Sequence, residues 1–229
     1  MITLTLEKKI LSLNKTVAYL IFSKPKWFNF KSWQFMILQK DWFKKPYSIA
    51  SSPLDKNLCF YVKKVSENGM SNFLVNITEW ETINTSWPFW HMVLDFSSHK
   101  DNYLLISTWS WFAPILSIYT YLIQTNNFNK IVNIFWEKNK DSIPHNVLEK
   151  ILSFEKEKLN IKNFVCFSRQ KVNWFLAWHV QDFFESALEF LPKNNLKIYI
   201  CWKPQMVDDS ITKLKSLWVD ESNILYEKY

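Results

Sequence analysis

The segment Lys45-Pro46-Tyr47-Ser48-Ile49-Ala50-Ser51-Ser52-Pro53 is a short run of apolar and aromatic residues that a proline closes. Similar short runs lie on both sides of it, as expected for strands joined by turns. The predicted strands cover residues 16–22, 34–38, 47–50, 58–65 and 91–96. The first part of the chain is therefore predicted to form a small antiparallel β-barrel.

Beyond residue 102 the pattern changes to strands and helices in alternation, which is typical of a parallel sheet built from βα units. The predicted strands are 104–107, 131–135, 164–167, 198–201 and 223–226, and the predicted helices are 113–124, 144–159, 180–191 and 205–217. The polar segment 97–102 separates the two patterns. We therefore predict two domains, a β-barrel over residues 1–98 and an α/β domain over residues 99–229.

One short helix is predicted within the barrel. Gly69-Met70-Ser71 precedes the helical pattern of residues 72–77, and Ser71 is the expected N-cap. The exposed N–H groups at such a helix start are suited to receive a phosphate.

The composition is unusual in two residue types. The 229 residues include 1 glycine and 13 tryptophans, whereas average usage predicts roughly 16 glycines. Codon bias toward A and T explains few glycines and a single arginine, Arg169, among 28 basic residues. It does not explain many tryptophans, because TGG would be rare as well. A gene in which TGA encodes glycine but was translated as tryptophan explains both counts.

Several classes of protein are excluded by composition and spacing. A chain that is 48% hydrophobic and 21% charged is neither disordered nor collagen-like. Cys59, Cys166 and Cys201 are too far apart for a zinc or iron–sulfur motif, so no metal site is predicted and the thiols are expected to be reduced. Residues 1–10 lack the apolar core of a signal peptide, and a cytoplasmic protein is expected.

Two further interpretations of the sequence, a membrane span and a nucleic-acid-binding protein, are not favoured. Residues 103–123 carry no charge but contain Pro114 and five serines and threonines, so a buried strand followed by a helix is predicted in place of a membrane span. The net charge of +7 is compatible with nucleic-acid binding. The aromatic residues form no stripe along a basic face, and no nucleic-acid partner is predicted.

The segment 45–53 resembles the flavin-binding signature of the ferredoxin-NADP reductase family, R-x-Y-S followed by I-A-S. Residues 69–74 resemble the second flavin segment of that family, residues 108–114 its loop G-T-G-S-G-x-A-P, and residues 201–204 its element C-G-x-P. The order and spacing agree over nearly the whole chain. Most departures place tryptophan at a family glycine, namely at Trp33, Trp87, Trp90, Trp109, Trp111, Trp136, Trp178 and Trp202.

The resemblance implies an FAD site. Tyr47 is expected against the isoalloxazine ring, and Ser48 close to N5, the hydride acceptor. Lys45 stands where the family has arginine and would contact phosphate as a point charge. The implied FAD-binding residues are Lys45, Pro46, Tyr47, Ser48, Tyr61, Val62, Lys63, Gly69, Met70 and Ser71.

The resemblance also implies a pyridine-nucleotide site. Ser168 and Arg169 correspond to a pair that holds the 2′-phosphate of NADPH, which favours NADPH over NADH. Cys201 is expected beside the nicotinamide, and the terminal Tyr229 over the flavin; with Ser48 these two form the implied catalytic set. The implied nucleotide-binding residues are Thr108, Trp109, Ser110, Trp111, Pro114, Ser168, Arg169, Lys171, Cys201, Trp202 and Pro204.

The function that the resemblance implies is electron transfer between NADPH and a one-electron carrier, ferredoxin or flavodoxin, through FAD. Two alternatives stay open. One is an NADH-dependent electron-transfer or oxygenase reductase with the same fold. The other, if the tryptophans are genuine, is a non-catalytic protein that binds flavin or nucleotide.

Overall fold

A computed structural model describes residues 1–89, 100–108, 111–169 and 180–228. The first part forms a six-stranded antiparallel sheet in the order β4-β3-β6-β1-β2-β5. Its strands are β1 (Ile2–Leu11), β2 (Val17–Ser23), β3 (Phe35–Lys40), β4 (Phe43–Ser48), β5 (Asn57–Lys63) and β6 (Thr82–Thr85). Ile49, just after β4, pairs with Phe60 in β5 and joins the two edges of the sheet. The predicted barrel is therefore present.

Helix α1 (Met70–Asn76) packs on the barrel and buries Leu74 and Val75. The expected N-cap at Ser71 is wrong, because Gly69 occupies the N-cap with a φ of 129°. The Ser71 hydroxyl instead accepts a hydrogen bond from the N–H of Val65 at 3.2 Å. The side chain of Ser71 thus fixes the chain that enters the helix.

The second part forms a five-stranded parallel sheet in the order β11-β10-β7-β8-β9. Its strands are β7 (Asn102–Thr108), β8 (Lys130–Glu137), β9 (Ile161–Phe167), β10 (Leu196–Trp202) and β11 (Ile224–Lys228). Its helices are α2 (Phe112–Thr125), α3 (His145–Glu157), α4 (Phe184–Phe190) and α5 (Pro204–Ser216). This confirms the prediction of an antiparallel barrel followed by a parallel α/β sheet.

The two faces of the parallel sheet bury different cores. One face packs against α4 and α5. The other packs against α2, α3 and the barrel, whose Val17, Tyr19 and Tyr61 share its core. The apolar core is therefore continuous from the barrel to the parallel sheet, and it places the end of the barrel beside the carboxyl ends of the strands.

Some predicted boundaries differ from the observed ones. Strands β1 and β6 were not predicted, and β4 begins at Phe43, before the predicted residue 47. The predicted helix 180–191 is a 3-10 turn at Val180–Phe183 followed by α4. The predicted strand 91–96 and the predicted domain boundary at residue 98 lie outside the described residues.

Candidate flavin and nucleotide site

The junction between the barrel and the parallel sheet contains a row of polar side chains. Cys201 at the end of β10 is paired in register with Glu227 in β11 on one side and with Ser107 in β7 on the other. All three side chains are buried. From the barrel, Trp33 Nε1 donates a hydrogen bond of 2.6 Å to Glu227 Oε2.

A cleft of about 460 Å³ opens beside this row. One wall is the segment Pro46–Ser48 of the first quoted motif, and the opposite wall is Tyr226, Glu227 and Lys228 of the last strand. Burial raises the pKa of Tyr47 well above its ordinary value. A neutral aromatic ring, a hydroxyl and a carboxylate thus face one cleft, and its size and lining suit a flat aromatic ring system.

The other predicted FAD-binding residues do not line this cleft. Lys45 is exposed on β4. Val62 is buried in the barrel core, and Tyr61 is buried against Phe112 with ring centroids 6.3 Å apart. Gly69 lines a second cleft, of about 760 Å³, together with Asn68 and Phe73, and Met70 is buried.

Lys63 meets the parallel sheet through an ion pair. Its Nζ lies 3.5 Å from Glu137 Oε1, and the Glu137 side chain is fully buried. Burial raises the pKa of Glu137 and lowers the pKa of Lys63, and the attraction between the two charges opposes both shifts. Glu137 Oε2 and the Tyr61 hydroxyl are both buried without a hydrogen-bond partner. The ion pair therefore lies in a buried polar region in which two oxygen atoms have no hydrogen-bond partner.

Predicted nucleotide-binding residues gather at the carboxyl edge of the parallel sheet. Thr108 ends β7, and the backbone N–H groups of Ser168 and Arg169 bond to the carbonyls of Glu137 and Lys138 at 3.2 and 3.0 Å. The side chains of Ser168 and Arg169 are exposed. Pro204 begins α5, while Pro114 is buried inside α2. The predicted residues Trp109, Ser110, Lys171 and Tyr229 lie outside the described residues.

Three indole rings lie at this edge of the sheet. Trp202 is the last residue of β10 and Trp136 the last but one of β8, the two strands that flank β7, and their rings lie 6.3 Å apart. Trp111 precedes α2 and packs against both cores of the domain. The hydroxyl of Thr108, at the level of Trp136 in the sheet, is buried without a partner. Three indoles thus lie at the carboxyl edge, where open α/β sheets bind nucleotides.

Cys201 is fully buried, and burial raises its pKa well above the ordinary value, with a further contribution from the charge of Glu227. It lies in the same core cluster as Trp33. The sequence did not point to Glu227, Tyr226 or Phe35 as cleft residues. One signal in the sequence could have indicated Glu227, namely a glutamate within the apolar pattern of the last predicted strand.

Two features are absent from the part of the chain that the structure describes. No helix there combines the length and the low polarity that a membrane span needs. Nor do three histidine, cysteine, aspartate or glutamate side chains come together there as metal ligands.

No protein-family model and no curated protein matches the sequence. Solved structures do match it. The flavohem-like FAD/NAD-binding domain of nitric oxide dioxygenase from Vibrio cholerae is 14% identical, with a TM-score of 0.84 over 99% of this chain and 98% of that one. A ferredoxin-NADP+ reductase from Neisseria gonorrhoeae with bound FAD and NADP is 17% identical, with a TM-score of 0.76 over 99% and 98%.

A third likeness is to ferredoxin-NADP+ reductase from Plasmodium falciparum with 2′P-AMP, at 20% identity and a TM-score of 0.80 over 99% of this chain and 95% of that one. Together these structures define the class: the chain has the two-domain fold of FAD- and NAD(P)-binding reductases. Within this class, its fold is that of ferredoxin-NADP+ reductase and related proteins, as the sequence motifs implied.

Proposed function

We propose that the protein is a flavin-dependent oxidoreductase that transfers electrons between NADPH and a one-electron carrier. The observation that carries the proposal is the cleft in which Pro46, Tyr47 and Ser48 face Glu227 of the last strand. It lies where the barrel meets the carboxyl edge of a parallel sheet, the edge at which open α/β sheets bind nucleotides.

The cleft residues fit the isoalloxazine ring of FAD. Tyr47 offers a ring that burial keeps neutral, and Ser48 offers a hydroxyl on the same wall. Bound FAD would supply the chemistry of accepting a hydride and passing electrons on singly. The protein would orient the ring and keep water from it, while Lys45 and the segment Gly69–Ser71 would hold the phosphates.

The nucleotide half of the proposal requires glycine at Trp109 and Trp111. A loop that brings backbone N–H groups against a pyrophosphate needs residues without a Cβ atom. With glycine there, Thr108, Ser110 and the first turn of α2, which contains Pro114, would receive the pyrophosphate. Ser168, Arg169 and Lys171 would bind the 2′-phosphate of NADPH, while Cys201, position 202 and Pro204 would border the nicotinamide.

The proposed partner is an acidic carrier such as ferredoxin or flavodoxin, in the cytoplasm. A net charge of +7 would steer an acidic protein toward the chain. Such steering weakens with salt, so the rate of ferredoxin reduction should fall as ionic strength rises.

The indole rings at the carboxyl edge of the parallel sheet favour a second function for the chain with tryptophan. With the indoles of residues 111, 136 and 202 at that edge, the chain would bind flavin but would not oxidise a pyridine nucleotide. This is the non-catalytic alternative, and it predicts bound FAD without NADPH oxidation.

One experiment tests both functions. The chain would be purified with tryptophan and with glycine at the 13 positions, and its FAD content and the NADPH- or NADH-driven reduction of added ferredoxin would be measured. FAD with turnover in the glycine chain supports the proposal. Bound FAD with no turnover in either chain supports the non-catalytic function. A glycine chain that folds but binds no FAD overturns the proposal, and the absence of FAD from both folded chains overturns both functions.

A further inference from the structure

Three tryptophans occupy backbone conformations that a bulky L-residue rarely adopts. Trp33, Trp80 and Trp218 have φ angles of 79°, 74° and 64°. In the described part of the chain, the other non-glycine residues with positive φ are Lys15, Asp41, Asn126 and Asn195. Aspartate and asparagine tolerate this region, whereas for a bulky residue it is a genuine outlier.

Trp218 stands at a helix end that normally calls for glycine. Helix α5 ends with Leu217 as its C-cap. The N–H of Trp218 bonds to the carbonyl of Lys215 at 3.0 Å, and the N–H of Val219 bonds to that of Leu214 at 3.2 Å. These two bonds define a Schellman motif, in which the left-handed residue is usually glycine. Trp218 is that residue.

Trp33 and Trp80 each stand third in a four-residue turn. One turn is closed by a bond of 3.2 Å from the N–H of Gln34 to the carbonyl of Lys31, and the other by a bond of 3.2 Å from the N–H of Glu81 to the carbonyl of Thr78. A turn with positive φ at its third residue is of type II, which requires glycine or asparagine there.

Packing does not explain why indoles stand at two of these positions. The side chains of Trp80 and Trp218 are 73% and 88% exposed, although tryptophan is on average highly buried. Trp42 is exposed as well, and it follows Asp41 in the two-residue loop that joins β3 to β4. The φ of Trp42 is not positive, so it is the exposure of this indole, and not its backbone, that is unusual.

We infer that the cellular protein carries glycine at 33, 80 and 218, and with them at the other tryptophan positions, because its gene reads TGA as glycine. The inference rests on backbone geometry and is independent of the proposed function. It extends beyond the predicted nucleotide loop to two turns and a helix end. At residue 33 it also removes the indole donor from Glu227 and leaves the Glu227 carboxylate facing the flavin cleft.

The direct test is tandem mass spectrometry of peptides that span residues 33, 80 and 218, from protein purified from its native source. The expected residue at each position is glycine. Tryptophan at these positions would overturn the inference. Because this readout involves neither flavin nor activity, a glycine chain that fails to bind FAD would refute the function and leave the glycine assignment intact.

A second test uses the recombinant chain with tryptophan and separates backbone strain from loss of the ring. Trp80→Gly and Trp218→Gly are each expected to raise the melting temperature by about 2–4 °C. Trp80→Ala and Trp218→Ala remove the same rings but keep a Cβ atom at positive φ, so they are expected to give less than half of that rise. Equal shifts for glycine and alanine would show that the positions do not call for glycine.

Discussion

Trp33 Nε1 lies 2.6 Å from Glu227 Oε2, which joins a turn of the barrel to the last strand of the parallel sheet. The Trp33 ring also lies 5.5 Å from that of Tyr199 in β10. In the chain with tryptophan, this hydrogen bond satisfies a carboxylate that is largely buried. The contact is therefore part of what holds the two halves of the molecule together.

Trp33→Phe is expected to lower the free energy of unfolding by about 1–3 kcal/mol, because the phenyl ring keeps the apolar contact but leaves Glu227 without its donor. Urea unfolding would measure the change. Trp80→Phe is the matched control, since Trp80 has a similar φ but is exposed, and it is expected to change stability by less than about 0.5 kcal/mol. Equal losses for the two variants would rule out the hydrogen bond as the cause.

The buried pair of Lys63 and Glu137 predicts a pH dependence of stability. Burial raises the pKa of Glu137 above its ordinary value of 4.5, so the folded state holds this proton more tightly than the unfolded state. The stability that protonated Glu137 contributes is complete below 4.5 and is lost as the pH rises through the raised pKa.

Glu137→Gln removes that contribution. The melting temperature of the unmodified chain minus that of the variant is expected to fall as the pH rises from about 4 to about 8. Lys63→Met should extend the fall to higher pH, because losing the positive charge raises the pKa of Glu137 further. A difference that stays constant with pH would contradict this prediction.

The three cysteines are expected to be unreactive in the folded chain. Burial raises the pKa of Cys59 to about 11 and that of Cys166 to about 12, and it raises that of Cys201 as well. The thiolate is the reactive form. A thiol reagent at about pH 8 should label no cysteine of the native protein quickly and all three after unfolding. Fast labelling of Cys201 alone would show that the junction opens in solution.

Sequence patterns predicted most of the parallel sheet, because each strand there is an apolar run bounded by turn residues. They missed β1, whose residues Glu7, Lys8 and Lys9 interrupt the alternation. The structure shows the physical reason. The register between β1 and β2 shifts between Leu6 and Lys8, so a bulge breaks the period of two.

The sequence predicted the candidate site only where a single continuous segment forms it. Pro46, Tyr47 and Ser48 come from one motif, whereas Glu227 joins them only when the chain folds. In β5, Val62 faces the barrel core and Tyr61 the junction core, so the strand is buried on both faces. An apolar run of this kind does not reveal which of its residues faces a ligand.

Ser48 is expected to contribute to hydride transfer and not to flavin affinity. In the glycine chain, Ser48→Ala should slow the reduction of FAD by NADPH about 3- to 10-fold, the value of one hydrogen bond. The FAD content should be unchanged because Tyr47 still packs on the ring. Single-turnover absorbance would measure the rate. Ser153→Ala is the control, since Ser153 is a half-buried serine of α3 whose hydroxyl donates to the carbonyl of Lys150. A loss of FAD from the Ser48 variant as large as its loss of rate would contradict the assigned role.

Arg169 is expected to determine the choice between NADPH and NADH. Its side chain is exposed at the carboxyl edge, and its N–H is anchored to the carbonyl of Lys138. A guanidinium binds a phosphate through two parallel hydrogen bonds, which NADH has no 2′-phosphate to accept. In the glycine chain, Arg169→Ala should raise the KM for NADPH about 10- to 100-fold and leave that for NADH nearly unchanged. Arg169→Lys should lie between, since lysine keeps the charge but loses the fork. If the unmodified glycine chain used both nucleotides equally well, Arg169 would not be the selecting residue, and the NADH-dependent reductase would become the better assignment.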